Sequence, residues 1–348
     1  MLKKIFQIIF FFTIVICSAQ EDFWDGFIRP ADFGKPFWAD MRSTLIRAEI
    51  AYATNSPDYD WGGINTSYRP FVFVNLGAEI PVWSGNFAEG KYGLSVSLPL
   101  MIDIWYDRFE WETSPIINTA YRFGVFDTAF IYRLENPRQI FPHFNIYNWS
   151  LKVSFLKHES THIGDELAIH RKDLNLPITR IDVLANYFEM IFTLNDPDNQ
   201  KHLNHGFKAG FLFNYNFKDG WYITFDSEAQ EDFVGPSRFP FEFFLQYQFQ
   251  SPLFSRGFQI IASAEYRLRE RYNYLFSYSG TNDNSLQNSN IDLVNCFNVF
   301  AGVRFDNQIR SYFSKIGIGV RYYYGINPYG QFRSMPHYSQ FGVAVVFE

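Results

Sequence analysis

Residues 155–170 read FLKHESTHIGDELAIH. His158, His162 and His170, Ser160, and the carboxylates of Glu159, Asp165 and Glu166 fall within this one stretch. Three chemistries use such residues. In nucleophilic hydrolysis Ser160 attacks, His158 is the general base, and Asp165 or Glu166 orients the imidazole. In a metal site His158 and His162 join Asp165 or Glu166, a nitrogen and carboxylate set suited to zinc, although the spacing matches no standard set. In a structural network the same groups satisfy one another and pin a turn.

The strand leading into this stretch sets the expected direction of each side chain. Tyr147, Trp149, Leu151, Val153 and Phe155 share one apolar face, and Asn148, Ser150, Lys152 and Ser154 share the other. Counting on by twos places His158 and Ser160 on the polar face, unless a bulge intervenes. Gly164 suits a tight turn, with His162 and Asp165 beside it. On a return strand over 166–172, Glu166, Ala168 and His170 point to the polar face. One inward network of His158, Ser160, His162, Gly164, Asp165, Glu166 and His170 is the resulting expectation.

The same period of two runs nearly end to end, and helical periodicity is almost missing. Residues 72 to 82 alternate apolar side chains with Asn75, Gly77, Glu79 and Pro81. Residues 258–271 set Glu265, Arg267, Arg269 and Arg271 on one face. Segments this long, with charges in mid-strand on one face and Leu, Val, Phe and Tyr on the other, suit strands that cross a bilayer. Backbone in hydrocarbon must satisfy its own hydrogen bonds, so such strands close into a barrel. Thirteen segments stand out: 42–53, 71–84, 91–107, 119–134, 145–160, 180–194, 205–217, 220–230, 238–250, 257–275, 291–307, 312–325 and 337–347. A bacterial barrel needs an even number, so 166–172 is read as a fourteenth. The expected fold is therefore all-β, a transmembrane antiparallel barrel of about fourteen strands, with twelve as the alternative. In the fourteen-strand topology the segments after 160, 194, 230, 275 and 325 lie outside. The turn at 218–220 and the connection near 308–311 lie in the periplasm.

Composition agrees. Aromatic residues make up 20% of the chain, with 41 Phe and 22 Tyr, as aromatic girdles at two membrane interfaces would require. The opening MLKKIFQIIFFFTIVICSAQ has a basic start, an apolar run and small residues before a cleavage point, so 1–19 read as a signal peptide. Ile16 is too bulky for the position before a lipoprotein cysteine. Cys296 is then the sole remaining cysteine, and no internal disulfide can form. Residues 20–41 read as a periplasmic N-terminal segment, packed at or inside the mouth of a barrel spanning 42–348. With a net charge of -6 and no basic block, nothing points to nucleic acid.

KHESTHIGDELA resembles the H-x-S-S-H-L-G-D-E pattern of an outer-membrane barrel family of unassigned function, domain of unknown function 1207. PFWADMRSTLIRAEI is similar to that family's early segment, with Met41 where its Pro is expected, and TRIDVLANYFEMIFTL lies where the family places a strand. The resemblance implies a barrel in the outer membrane and no particular activity. Outer-membrane phospholipases and lipid A deacylases carry a similar His-x-Ser. That second resemblance implies a pair aimed outward at lipid, with an Asn following the Ser, which this stretch lacks.

An inward pair favours a non-enzymatic barrel, either a channel or an envelope protein that is structural or binds a partner. An outward pair in an open pocket favours a lipid or acyl ester hydrolase using His158 and Ser160, with Glu166 as a further candidate. The implied partners are outer-membrane lipid and other envelope proteins, and no cofactor is implied.

Overall fold

The structure is a computed structural model. It describes residues 27–28, 31, 33–40, 42–54, 56–57, 64–65, 69–106, 116–141, 144–163, 179–181, 183–196, 204–214, 221–225, 231–234, 240–253, 257–271, 292–306, 315–328 and 337–348.

Twelve strands form the wall. They are β1 (Ile46–Thr54), β2 (Arg69–Phe87), β3 (Tyr92–Tyr106), β4 (Ile116–Phe141), β5 (Phe144–Ile163) and β6 (Val183–Leu194). There follow β7 (Asn204–Asn214), β8 (Phe241–Pro252), β9 (Phe258–Arg271), β10 (Asp292–Asp306), β11 (Lys315–Gly325) and β12 (Tyr338–Phe347). Each pairs antiparallel with its neighbours in sequence, and β1 closes the barrel against β12 from Ile46↔Phe347 to Thr54↔Ser339. The fold is a transmembrane antiparallel β-barrel with twelve strands, the smaller of the two expected numbers.

The difference from fourteen has a simple origin. The segment expected at 220–230 alternates well enough for a strand, but Trp221–Phe225 pairs with Glu231–Val234 and Thr179–Ile181 in a separate three-stranded sheet. The segment 166–172 lies outside the described residues, and β5 pairs directly with β6, so nothing intervenes between them in the wall. The sidedness changes accordingly. The turn after Leu194 lies at the end that holds both termini of the barrel, not at the opposite end. The ends of β9 and β11 lie opposite the termini, as expected.

The outer face is apolar. Ile50, Leu76, Leu100, Phe192, Leu245, Phe297, Ile318 and Val343 are all exposed on it. Rings gather near the termini: Trp149 packs with Phe130, Tyr132 and Phe192 at centroid distances of 5.6, 5.8 and 6.1 Å.

The inner face is polar, and it is filled. From the termini's side, residues 33–40 and 42–45 enter the lumen. Phe37 and Trp38 are fully buried there. Trp38 meets Phe300 edge-on at 5.3 Å, and its backbone N–H donates to Gln248 Oε1 at 2.9 Å. Gly317 faces the Trp38 indole so closely that a Cβ would overlap the ring, so the wall is shaped to this plug. Around the plug lie paired charges: Lys152 with Glu79 (2.6 Å) and Asp127 (3.1 Å), Arg267 with Glu265 (2.5 Å), Arg269 with Glu242 (3.1 Å), and Arg321 with Glu49 (2.6 Å). Near the far end Phe71, Phe73, Trp105, Tyr323 and Tyr338 pack into an apolar layer. A void of about 40 Å³ beside Asp40, Glu79 and Lys152 has room for only a few waters.

Burying unpaired charge is costly, which makes these pairs structural. Glu49 accepts from both Arg321 (2.6 Å) and Gln340 (2.8 Å). Glu49→Leu is expected to destabilise the folded barrel by about 3–5 kcal/mol, because Arg321 stays buried without its anion. The double variant with Arg321→Met should recover most of that loss, as read by urea unfolding in lipid vesicles.

Candidate active site on the outer wall

The site begins with a break in alternation. On β5 Ser150 and Ser154 are buried, so even positions face the lumen. Phe155 and Leu156 are then both exposed, at 57% and 53%. Beyond them odd positions face inward: Lys157 pairs with Glu189 and Asp127, and Glu159 is buried against Arg122 at 3.3 Å. The register records the cause. Ser154 lies opposite Glu189 and Lys157 opposite Tyr187, three residues on β5 against two on β6. Phe155 is thus an inserted residue, a β-bulge.

β4 bulges at the same height. Arg122 is buried from an even position and Asp127 from an odd one, with Val125 and Phe126 exposed between them. Phe126 has φ 59, in the left-handed region that relieves such an insertion. Because both strands carry an extra residue, Val125↔Leu156 and Asp127↔Ser154 stay in step across the pair. The lumen charges hold the flip in place. Without it Lys157 and Glu159 would enter the apolar band, where a lysine costs roughly 2–4 kcal/mol at mid-depth.

The consequence corrects the expected direction of the site. His158 and Ser160 do not join a lumen network: they stand on the outer face. The His158 ring packs on that of Phe123 at 4.7 Å, and Phe123 is 44% exposed on that face. Ser160 lies opposite Tyr121, also exposed. Across β6 the partner of His158 is Asn186, between the buried Ala185 and Tyr187, so it too faces outward. His158 Nδ1 lies 2.8 Å from Asn186 Oδ1. With the amide oxygen facing the ring, the contact suits the tautomer in which Nδ1 donates and Nε2 is the acceptor. An imidazole held by one partner and a serine two residues along the same face are the residue types that acyl transfer uses as base and nucleophile.

Height on the wall can be estimated. At roughly 3.3 Å per residue and a tilt of about 40°, allowing for the bulge, His158 and Ser160 sit roughly 20–25 Å from Trp149 along the barrel axis. The apolar band of such barrels is about 25 Å tall, so the pair lies at its far edge. Apolar side chains of Val125, Phe126, Phe155, Leu156 and Phe188 cover the band just below.

Of the other expected site residues, Gly164, Asp165, Glu166 and His170 lie outside the described residues. His162 stands opposite Thr119 on β4, and only its backbone is described. Among the described residues no three potential metal ligands converge, and His158 Nδ1 is already taken by Asn186. Asn186 is the residue that counting within the histidine stretch missed. Its signal was a lone polar side chain in phase with Phe188, Met190 and Phe192 on an apolar face.

No family model matches the chain, and neither does any curated protein sequence. Solved barrels do. The outer membrane phospholipase of Salmonella typhi superposes with a TM-score of 0.41 at 11% identity, over 87% of this chain and 90% of that one. The monoaromatic hydrocarbon channel CymD superposes with 0.41 at 8%, over 87% of each chain. LpxR from Salmonella typhimurium superposes with 0.35 at 11%, over 86% and 99%. Hydrolase and channel structures are matched alike, so the likeness describes the barrel fold and not its use.

The bulge can be tested by parity. Ser154 and Leu156 would share a face on a regular strand. In a Cys296→Ala background, a spin label on Leu156→Cys is expected to be relaxed by oxygen dissolved in lipid, and one on Ser154→Cys to be shielded. Equal accessibility would mean that no bulge separates them.

Proposed function

We propose that this chain is an outer-membrane hydrolase that cleaves acyl esters of membrane lipids, with Ser160 as nucleophile, His158 as general base and Asn186 as its orienting partner. The observation that carries the reading is the outward 2.8 Å contact between His158 and Asn186, with Ser160 on the same face. Polar side chains are costly at mid-depth of a lipid-facing wall and cheap at its edge, so the trio is tolerated where it stands. Its height matches the level at which lipid ester groups meet water, while acyl chains can lie along the apolar band below.

In the first step Ser160 Oγ attacks the ester carbonyl carbon, and His158 Nε2 takes the hydroxyl proton. The carbon–oxygen bond to the lipid alcohol then breaks, and the imidazolium gives its proton to the departing oxygen. An acyl group remains on Ser160. Water, deprotonated by His158, attacks that acyl-serine, and the fatty acid leaves as Ser160 recovers its proton. Asn186 keeps the proton on Nδ1 throughout, so that Nε2 is available to act. The Phe123 ring limits rotation of the imidazole.

A non-catalytic envelope barrel is the second reading, and the sealed lumen suits it equally well. That reading gives the outward trio no role. An open channel is harder to reconcile with a lumen occupied by residues 33–40 and 42–45 and by paired charges.

Purified protein should be assayed in mixed micelles against phospholipid and, separately, lipopolysaccharide. Fatty acid release from one of them is expected, falling to background in Ser160→Ala and His158→Ala. Asn186→Ala should lower the rate roughly ten-fold, because an orienting hydrogen bond contributes about 1–1.5 kcal/mol. No turnover of either lipid, or turnover that survives Ser160→Ala, would contradict the reading.

A further inference from the structure

The residue between His158 and Ser160 faces the other way. Glu159 is buried in the lumen, where its carboxylate meets Arg122 at 3.3 Å and Arg42 at 3.2 Å. Arg42 belongs to no wall strand. It lies at the end of the plug, just before β1, and its backbone N–H donates to Asp40 Oδ1 at 2.9 Å. The same guanidinium lies over the Tyr187 ring, 5.3 Å from its centroid. Tyr187 is the residue next to Asn186. One plug side chain therefore grips β5 at the point between His158 and Ser160, and β6 at the point beside Asn186.

The wall is a single layer of backbone, so inner and outer side chains of adjacent residues move together. The outward bond between His158 and Asn186 spans β5 and β6, and the inward contacts of Arg42 span the same two strands at the same height. Arg122 does not do this. Its second partner is Asp103 on β3, at 2.9 Å, so it ties Glu159 away from β6.

We infer that Arg42, a side chain of the N-terminal plug, is a positioning residue for the outer trio. With the plug seated, Arg42 holds β5 and β6 at the spacing that keeps Asn186 bonded to His158. Without its guanidinium that spacing loosens and the imidazole loses its orientation. The inference rests on the hydrolase reading and adds a residue that holds its geometry from inside the barrel.

Removing Arg42 should not unfold the barrel. Glu159 keeps Arg122, and Glu242, the remaining partner of Arg42 at 3.5 Å, keeps Arg267 and Arg269 at 3.4 and 3.1 Å. The test therefore compares Arg42→Met, Arg42→Lys and Tyr187→Leu in the full mature chain, with folding followed by heat-modifiable gel mobility. Phospholipid and lipopolysaccharide in mixed micelles are the substrates. For Arg42→Met, kcat should fall roughly ten-fold or more, by the loss of one orienting contact, with KM changed less than about two-fold. Arg42→Lys should recover part of kcat, because an ammonium still reaches Glu159. Tyr187→Leu, which removes only the β6 contact, should lower kcat in the same direction. A wild-type kcat in folded Arg42→Met, or in Tyr187→Leu should Arg42→Met not fold, would overturn the inference while leaving the hydrolase intact. A wild-type protein with no Ser160-dependent turnover would remove the hydrolase reading, and the inference with it.

Discussion

Successive side chains on a β-strand point to opposite faces, and in this barrel one face is apolar while the other is filled with paired charge. Each strand is thereby committed along its length, since a single-residue slip would carry every charge into the apolar band. Phe126 on β4 and Phe155 on β5 are the insertions that change the commitment midway. Below them even positions of β5 face the lumen; above them odd positions do. Everything distinctive about the outer wall follows from those two residues. Because of them Lys157 and Glu159 find their partners inside, while His158 and Ser160 come to face outward beside Asn186.

The sealed lumen and the outer trio are two sides of this constraint. Bulges weaken local pairing, and a weakened stretch of wall needs support from another quarter. Asp127 and Lys157, the first inward residues above or beside the bulges, share that support with Lys152, Glu79 and Glu189. Arg42 and Arg122 extend it upward through Glu159. Solvation of such groups by water in a wide pore would leave the strands free to shift; pairing them in a filled lumen fixes their backbones. The polar interior thus acts as the rigid backing on which an outward-facing constellation can keep its geometry.

Much of the fold was legible from alternation alone. Twelve of the thirteen segments read as strands form the wall, and the polar face of 258–271 lines the lumen as its sequence implies. Residues 220–230 misled because a short alternating run pairs equally well in a sheet outside the wall. The site was legible in part. The residue types at 158 and 160 offered hydrolysis as one of three chemistries, and an inward network was the expectation because their direction was carried forward from Ser154 across a bulge that alternation cannot register. The signal was nonetheless present. Charges on β5 change from an even position, Lys152, to odd ones, Lys157 and Glu159, around an adjacent apolar pair, and β4 repeats the change from Arg122 to Asp127 around Val125 and Phe126. Asn186 was beyond local reading, because its relation to His158 exists only through the pairing of β5 with β6.

The central claim is that Ser160 is a nucleophile made reactive by an outward His158 held by Asn186. Mass-spectrometric mapping of the protein after reaction with a long-chain fluorophosphonate tests it most directly, since that reagent modifies serines activated by a neighbouring base and spares ordinary hydroxyls. A single adduct on the peptide containing Ser160, lost in His158→Ala although the barrel remains folded, is the expected result. An unmodified Ser160 in folded wild-type protein, with the reagent free to partition into the surrounding lipid, would contradict the account.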